Sequence, residues 1–462
     1  MKSNIDWMNS SITEVAQSVQ NRSVSALTIA QAAIDKVHAR NSELNALIQF
    51  DEKLVLQEAE QIDHRMASGE ILPLAGVVFT AKDNLWVKNR RVSQGSKLFS
   101  NFIAPRDAWS VARCRELGAV LLGITNCSEF ACKGITENQL YGATRHPDDL
   151  GLTPGGSSGG AVAGLAAGMG HFALATDAGG STRRPAAHCG LVGFKPSPGL
   201  IPHPWGFTEP NFGQSVIGLI TRSVADNLYL LTQLAKYDAA DAASVPIDID
   251  WAHQDHREIR VAWSIDLGLG FAIDEVVKES LLNCIAGLRK HGLSIAVASP
   301  QWPTIGNGEY PLLALQQAGL HALYGKQLDT NRSLIDPDLV IQIEAGAKVS
   351  PARLMEILRL QQAMSRALHW YFDDYDILLC PTSPVVAWKL GQLGPPTIGG
   401  RPASARGHAA FTPFFNACGV PACSVPIGKG QGLPVGIQVV APRLEDARVL
   451  SVASLIEQHH KE

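Results

Sequence analysis

The chain has 462 residues, 46% of them hydrophobic and 18% charged, which excludes a disordered or fibrous chain and makes a globular protein the default. Its formal net charge is −4 and it carries no basic block, so composition argues against nucleic acid as a direct partner. Eight cysteines include no C-x-x-C pair, which points to buried thiols of a cytoplasmic protein rather than a zinc or redox site.

Residues 1–20 are mixed polar without a continuous apolar core, unlike a secretory signal. Residues 23–37 carry Leu27, Ile29, Ala32, Ala33, Ile34 and Val37 on an approximate helical stripe, and residues 54–66 predict a second helix. Residues 76–79 then read as a short buried strand, 108–117 as a helix and 118–123 as another strand. That alternation predicts an α/β fold, a large mixed sheet flanked by helices on both faces. The longest apolar stretch, 161–174, is broken by Gly164, Gly168, Gly170 and His171 and is too short to span a membrane.

Residues 145–215 are dense in Gly and Pro and read as a long functional loop. Strand and helix signals return at 259–263, 274–291 and 294–297, helices dominate 300–375, and 375–380 reads as a strand. Residues 423–427 and 435–440 are expected to form a hairpin around a polar turn. The expected organisation is an N-terminal helical arm (1–70) and one catalytic domain (71–462), with 241–375 a more variable, mainly helical insert.

Two glycine-rich runs carry the chemistry, Gly155-Gly-Ser-Ser-Gly-Gly160 and Asp177-Ala-Gly-Gly-Ser-Thr-Arg183. Glycine allows close backbone approach and positive φ, leaving serine hydroxyls and N–H groups free to face a ligand. Neither run fits a phosphate loop, which ends in Gly-Lys-Ser/Thr, or a dinucleotide fingerprint. With the following Gly190-Leu-Val-Gly-Phe-Lys195 and the upstream Phe79-Thr-Ala-Lys-Asp-Asn84, residues 155–196 resemble the signature segment of the amidase signature family. The segments Phe411-Thr-Pro-Phe-Phe-Asn-Ala-Cys-Gly-Val-Pro-Ala422 and Gly432-Leu-Pro-Val-Gly-Ile-Gln438 resemble its C-terminal strands.

The resemblance implies a hydrolase of amide-type C–N bonds working through a seryl acyl-enzyme. It matches Ser181 to the nucleophile, Ser157 to a bridging serine after a cis peptide bond, and Lys82 to the base. The N–H groups of Ala178, Gly179, Gly180 and Ser181 match the oxyanion hole, and Asp177 and Arg183 match residues that hold the nucleophile loop. Arg184 stands where relatives vary and takes no role; Ser158, one place off, is read as structural. Chemistry requires that such a lysine be neutral, hence buried, and the adjacent Asp83 would oppose this if it turned inward. A Ser–His triad through His146, His171, His188 or His203 has no sequence context beside Ser181, and Cys127 and Cys189 lack an activating setting.

Phe130, Ile135, Tyr141, Trp205 and Phe207, with Trp86, Leu140 and Phe212 nearby, suggest a pocket for a small neutral, apolar or aryl substrate: an amide, a carbamate or a urea-like compound. His203 falls in the same loop. The mechanism requires no cofactor and no metal, and homodimers are frequent among similar enzymes. Two other readings stand beside this one: the glutaminase component of a tRNA-dependent amidotransferase, and an inactive scaffold.

Overall fold

Short apolar runs pair into one mixed sheet of eleven strands among the described residues. A computed structural model gives the architecture and describes residues 5–251, 259–305 and 312–461. Across the sheet the order is Leu47–Phe50, Val120–Thr125, Val78–Lys82, Phe172–Asp177, Val216–Thr221, Val192–Lys195, Ala422–Gly430, Leu433–Val440, Ile377–Pro381, Val261–Trp263 and Ile295–Val297. Pairing is parallel from Val120–Thr125 through Val78–Lys82 to Phe172–Asp177 and again at the last three strands, and antiparallel elsewhere. The central strands Val78–Lys82, Phe172–Asp177 and Val216–Thr221 are buried along their whole length, because helices cover both faces.

The predicted helices are present with shifted ends. Ser25 caps Ala26–Leu44 by accepting from the Thr28 N–H, and Asp51 caps Glu52–Ala67 through Leu54. Between these two helices lies a feature the sequence reading missed: Leu47–Phe50, the edge strand of the sheet. The main apolar core runs from Met8 and Ile12 through the central strands to Ile456, so the first helices pack into the same core as the sheet.

Residues 145–215 are not one loop. They contain the helix Gly159–Ala166, the strand Phe172–Asp177, the helix Arg183–His188 and the strand Val192–Lys195. The glycines that suggested a loop serve close packing instead. A Cβ on Gly160 would stand 2.5 Å from the Asn126 backbone N and 2.6 Å from Ala46 O, so only glycine lets this buried helix sit there. The C-terminal hairpin forms as expected, with Gln431 and Gly432 at its turn both at positive φ. Among the described residues no helix is long and apolar enough to cross a membrane.

Candidate active site

Lys82 ends a strand buried on both faces, and its own side chain is fully buried. Its ammonium Nζ donates to Ser157 Oγ at 2.7 Å and to Thr176 Oγ1 at 3.0 Å; Asn84 Nδ2 also donates to Thr176 Oγ1. Burial pulls the Lys82 pKa down to about 8, against the raising effect of nearby negative charge at Asp177. Asp83 does not turn towards it. The Asp83 carboxylate instead accepts from the N–H groups of Ser93 and Gly95, both at 2.9 Å, and from the Ser93 hydroxyl.

A lysine base works only as the neutral amine, whose population rises with pH up to the pKa and then saturates. The expected kcat/KM on an uncharged substrate therefore climbs about tenfold per pH unit below about 8 and levels above it. A profile that is flat from about pH 6 to 9 would deny Lys82 this role.

Ser157 is fully buried and follows a cis Gly156–Ser157 peptide bond. Ser181 lies beyond the end of the neighbouring strand and is 9% exposed, on a cavity that it shares with Ser157, Thr176 and Asn84. No hydrogen bond joins Ser181 to Ser157 among the described residues.

The loop from Asp177 to Ser181 is held from within and from a distant part of the chain. The Asp177 carboxylate accepts from Gly180 N at 2.7 Å and Thr182 N at 3.1 Å, and from Arg183 Nε and Nη2 at 3.0 and 2.9 Å. Asn416 Nδ2 donates to the same carboxylate and to Asp177 O, both at 2.9 Å. Arg183 extends the network, donating to Gln438 Oε1 at 2.6 Å and Thr412 O at 3.1 Å. Although burial works to raise it, the Asp177 carboxyl is held well below the usual carboxylate range by Arg183 and its other donors.

Of the four backbone donors expected to face an oxyanion, Gly180 N–H is committed to Asp177. Those of Ala178, Gly179 and Ser181 make no hydrogen bond among the described residues. Gly180 has φ +107°, and a Cβ there would stand 2.0 Å from Thr412 Oγ1, so the turn requires glycine.

The expected pocket residues divide. Phe130 and Phe207 line the cavity beside Ser181, together with His203. Ile135 packs away from it with Val385 and Trp388, its backbone against Gly156. Tyr141 has its hydroxyl near Ser93, 3.4 Å away, and Trp205 donates from Nε1 to Asp107 O under the Arg106 guanidinium. Trp86 stacks edge-on to Phe207, behind the cavity wall.

His146 reaches His188 O, and His171 sits between Val78 N and Trp7 O, so neither approaches Ser181. Burial drives the His188 and His171 pKa values down to about 3 and about 4, leaving both neutral. Burial pushes the Cys127 and Cys189 thiols up, which suits core packing and not nucleophilic attack. Among the described residues no three His, Cys, Asp or Glu side chains converge as metal ligands would.

Sequence reasoning missed Thr176, Thr412, Asn416 and Gln438. Thr176 was signalled by its polar side chain in an otherwise apolar strand. The other three lie in segments whose contact with the signature only the fold reveals.

The chain matches the amidase family over residues 28–450. It is 34% identical to the acylamidase of Rhodococcus erythropolis, over 98% of this chain and 96% of that protein. It is 30% identical to the glutamyl-tRNA(Gln) amidotransferase A-type polypeptide of Thermoanaerobacter pseudethanolicus, over 97% and 96% of the two chains. Among solved structures, a bacterial aryl acylamidase superposes with a TM-score of 0.89 at 25% identity, covering 97% of this chain and 96% of that one. The 6-aminohexanoate cyclic dimer hydrolase, solved with its substrate, gives 0.87 at 26% identity, with 98% of each chain covered. The run of lysine strand, glycine-rich turns and C-terminal hairpin thus has counterparts across the whole chain, and the protein belongs to the amidase signature family.

Proposed function

We propose that the protein hydrolyses the C–N bond of a small amide, or of a carbamate or urea-like analogue, with Ser181 as nucleophile, Ser157 as relay and Lys82 as base. The observation that carries this reading is the buried 2.7 Å contact between Lys82 Nζ and Ser157 Oγ, on a cavity that also receives Ser181. With Lys82 neutral, the same contact runs in reverse and the Ser157 hydroxyl donates to the amine. Ser181 Oγ attacks the carbonyl carbon, its proton passes to Ser157 Oγ, and the Ser157 proton passes to Lys82 Nζ. The N–H groups of Ala178, Gly179 and Ser181 receive the oxyanion, where each such donor contributes about 3–4 kcal/mol. Collapse breaks the C–N bond, and the departing nitrogen takes its proton back from Ser157. Water then hydrolyses the acyl-enzyme through the same relay.

Phe130 and Phe207 give the Ser157 side of the cavity an apolar wall, which supports an apolar or aryl group on the amine portion. The similarity to the tRNA-dependent amidotransferase relatives favours a second reading, glutamine hydrolysis for a partner protein. It is distinguished by glutaminase activity and by co-purifying partner chains.

Intact-mass labelling with a fluorophosphonate tests the assignment without knowledge of the substrate. One adduct per chain is expected on wild type, mapped to Ser181 and lost in Ser181→Ala. An adduct on another residue overturns the assignment, and a folded wild type that takes no label favours an inactive scaffold.

A further inference from the structure

The segment 203–215 closes one side of the cavity beside Ser181, and it carries a carboxylate that no cation neutralises. Glu209 is half-buried and lines both this cavity and an adjoining recess. Its carboxylate accepts from Asn211 N at 2.7 Å, from the Asn211 side chain and from Gly213 N, and it makes no ion pair among the described residues. A carboxylate has about four acceptor sites, so these donors leave capacity unused. Among the described residues neither cavity is lined by a lysine or an arginine, and the recess adds a second carboxylate, Asp241. Withdrawing a carboxylate from water without a counter-ion is costly, and a ligand that brings the missing charge offsets that cost.

Two groups from separate parts of the chain line the same cavity with unused polar atoms. Asn84 Nδ2 is held by Thr176, which leaves Asn84 Oδ1 buried and unpartnered among the described residues. His203 Nε2 is buried and unpartnered in the same way. Burial lowers the His203 pKa, so near neutral pH its ring is uncharged and has a nitrogen free to accept. The walls between these groups are aromatic and firmly backed. Phe130 stacks on Tyr324 with ring centroids 4.0 Å apart, and Phe207 rests on Phe99 and Phe102 at 5.1 Å. The Gln94 amide, a donor on this wall, has the Tyr324 phenol beside it. A cavity with acceptors, negative charge and aromatic sides selects a cation on an apolar stem.

The departing nitrogen collects its proton from Ser157, which lines this cavity, so the amine portion of the substrate occupies it. Resting on the Ser181 reading above, we infer that this amine portion ends in an ammonium bound by Glu209, making the preferred substrates mono-acylated aliphatic diamines. Phe130 and Phe207 cover the methylene stem. Asn84 Oδ1, next to the Lys82–Ser157 contact, receives the N–H of the scissile amide, and Glu209 with His203 Nε2 receives the ammonium. Water cleaves the amide C–N bond, and the products are a carboxylic acid and the free diamine.

The test compares the mono-N-acetyl derivatives of diaminopropane, diaminobutane and diaminopentane with N-butyl-, N-pentyl- and N-hexylacetamide on the wild-type protein. In each pair a methyl group replaces the ammonium. At least one charged amide is expected to exceed its neutral partner in kcat/KM by about 100-fold, because a site built for a polar group rejects the analogue that lacks it. In Glu209→Gln, which keeps a side-chain oxygen for the loop N–H groups, this ratio is expected to fall to near one, mainly through KM. A second measurement needs neither variant nor turnover: pentylammonium should protect wild-type Ser181 from fluorophosphonate, whereas pentanol should not. Should no acetyl amide be cleaved, the protection measurement alone decides. Equal turnover of charged and neutral amides, a preference that survives Glu209→Gln, or no protection by pentylammonium overturns the inference. In each of those cases an intact Ser181 adduct leaves the hydrolase reading standing. Absence of that adduct on wild type, with no amide cleaved, overturns both.

Discussion

Replacing Lys82 with methionine is expected to lower kcat by about 10³–10⁴-fold, the upper part of what a positioned base supplies, while leaving the protein folded. Methionine nearly matches the lysine stem in volume and carries no charge to desolvate. The site is fully buried, so the substitution removes a group whose burial already works against its charged form. Thr176 Oγ1 keeps its donor from Asn84, and only the Ser157 hydroxyl loses its partner. The denaturation midpoint should therefore stay near the wild-type value, and the loss should fall on the chemical step. The rising limb of the pH profile near 8 should vanish with it. Activity within tenfold of wild type, with that limb retained, would assign the base elsewhere.

The largest expected effect on stability comes from Arg183. Its guanidinium and the Asp177 carboxylate are both completely buried, 2.9 Å apart, and Arg183 also satisfies Gln438 and the Thr412 carbonyl. Arg183→Ala leaves a buried carboxylate without its counter-charge, a change that typically costs about 3–5 kcal/mol. Arg183→Lys is expected to recover little, because an ammonium cannot reproduce the fork that spans Asp177 Oδ1 and Oδ2. Urea unfolding followed by fluorescence checks both variants. A wild-type midpoint for Arg183→Lys would show that charge alone suffices there. The Asp177 pKa is held below its ordinary value, so the stabilisation is present above the unfolded carboxylate pKa of about 3.9 and lost as pH falls below it.

Much of this molecule was legible in its sequence, and the reasons differ between fold and site. Apolar runs such as Val120–Thr125 and Ile377–Pro381 announce buried strands because both their faces are covered. Leu47–Phe50 was hidden because four residues between two amphipathic helices offer no period of their own. The segment 145–215 was misread for a physical reason. Glycine signals a turn and also close packing, and Gly160 and Gly193 belong to the second kind: a Cβ on Gly193 would stand 2.6 Å from Ala186 Cβ.

In the candidate site, Lys82 and Ser157 were singled out from motifs and lie in direct contact. Ile135 and Tyr141, expected at the pocket because their segments flank it in relatives, and Trp205, expected there from its loop, lie off the cavity. Motif reading stops at partners, which are a property of tertiary structure: Asn416 and Gln438 meet Asp177 and Arg183 across more than two hundred positions of chain.

That last feature bears on how the protein is made. Strand Phe172–Asp177 and the turn after it leave the ribosome long before Thr412, Asn416 and Gln438 exist. The carboxylate of Asp177 then has only Arg183 and local N–H groups to organise it. A nascent or prematurely terminated chain thus carries Ser181 without the partners that hold its turn in place. The network around Asp177 and Arg183 is therefore complete only once the C-terminal hairpin is in place.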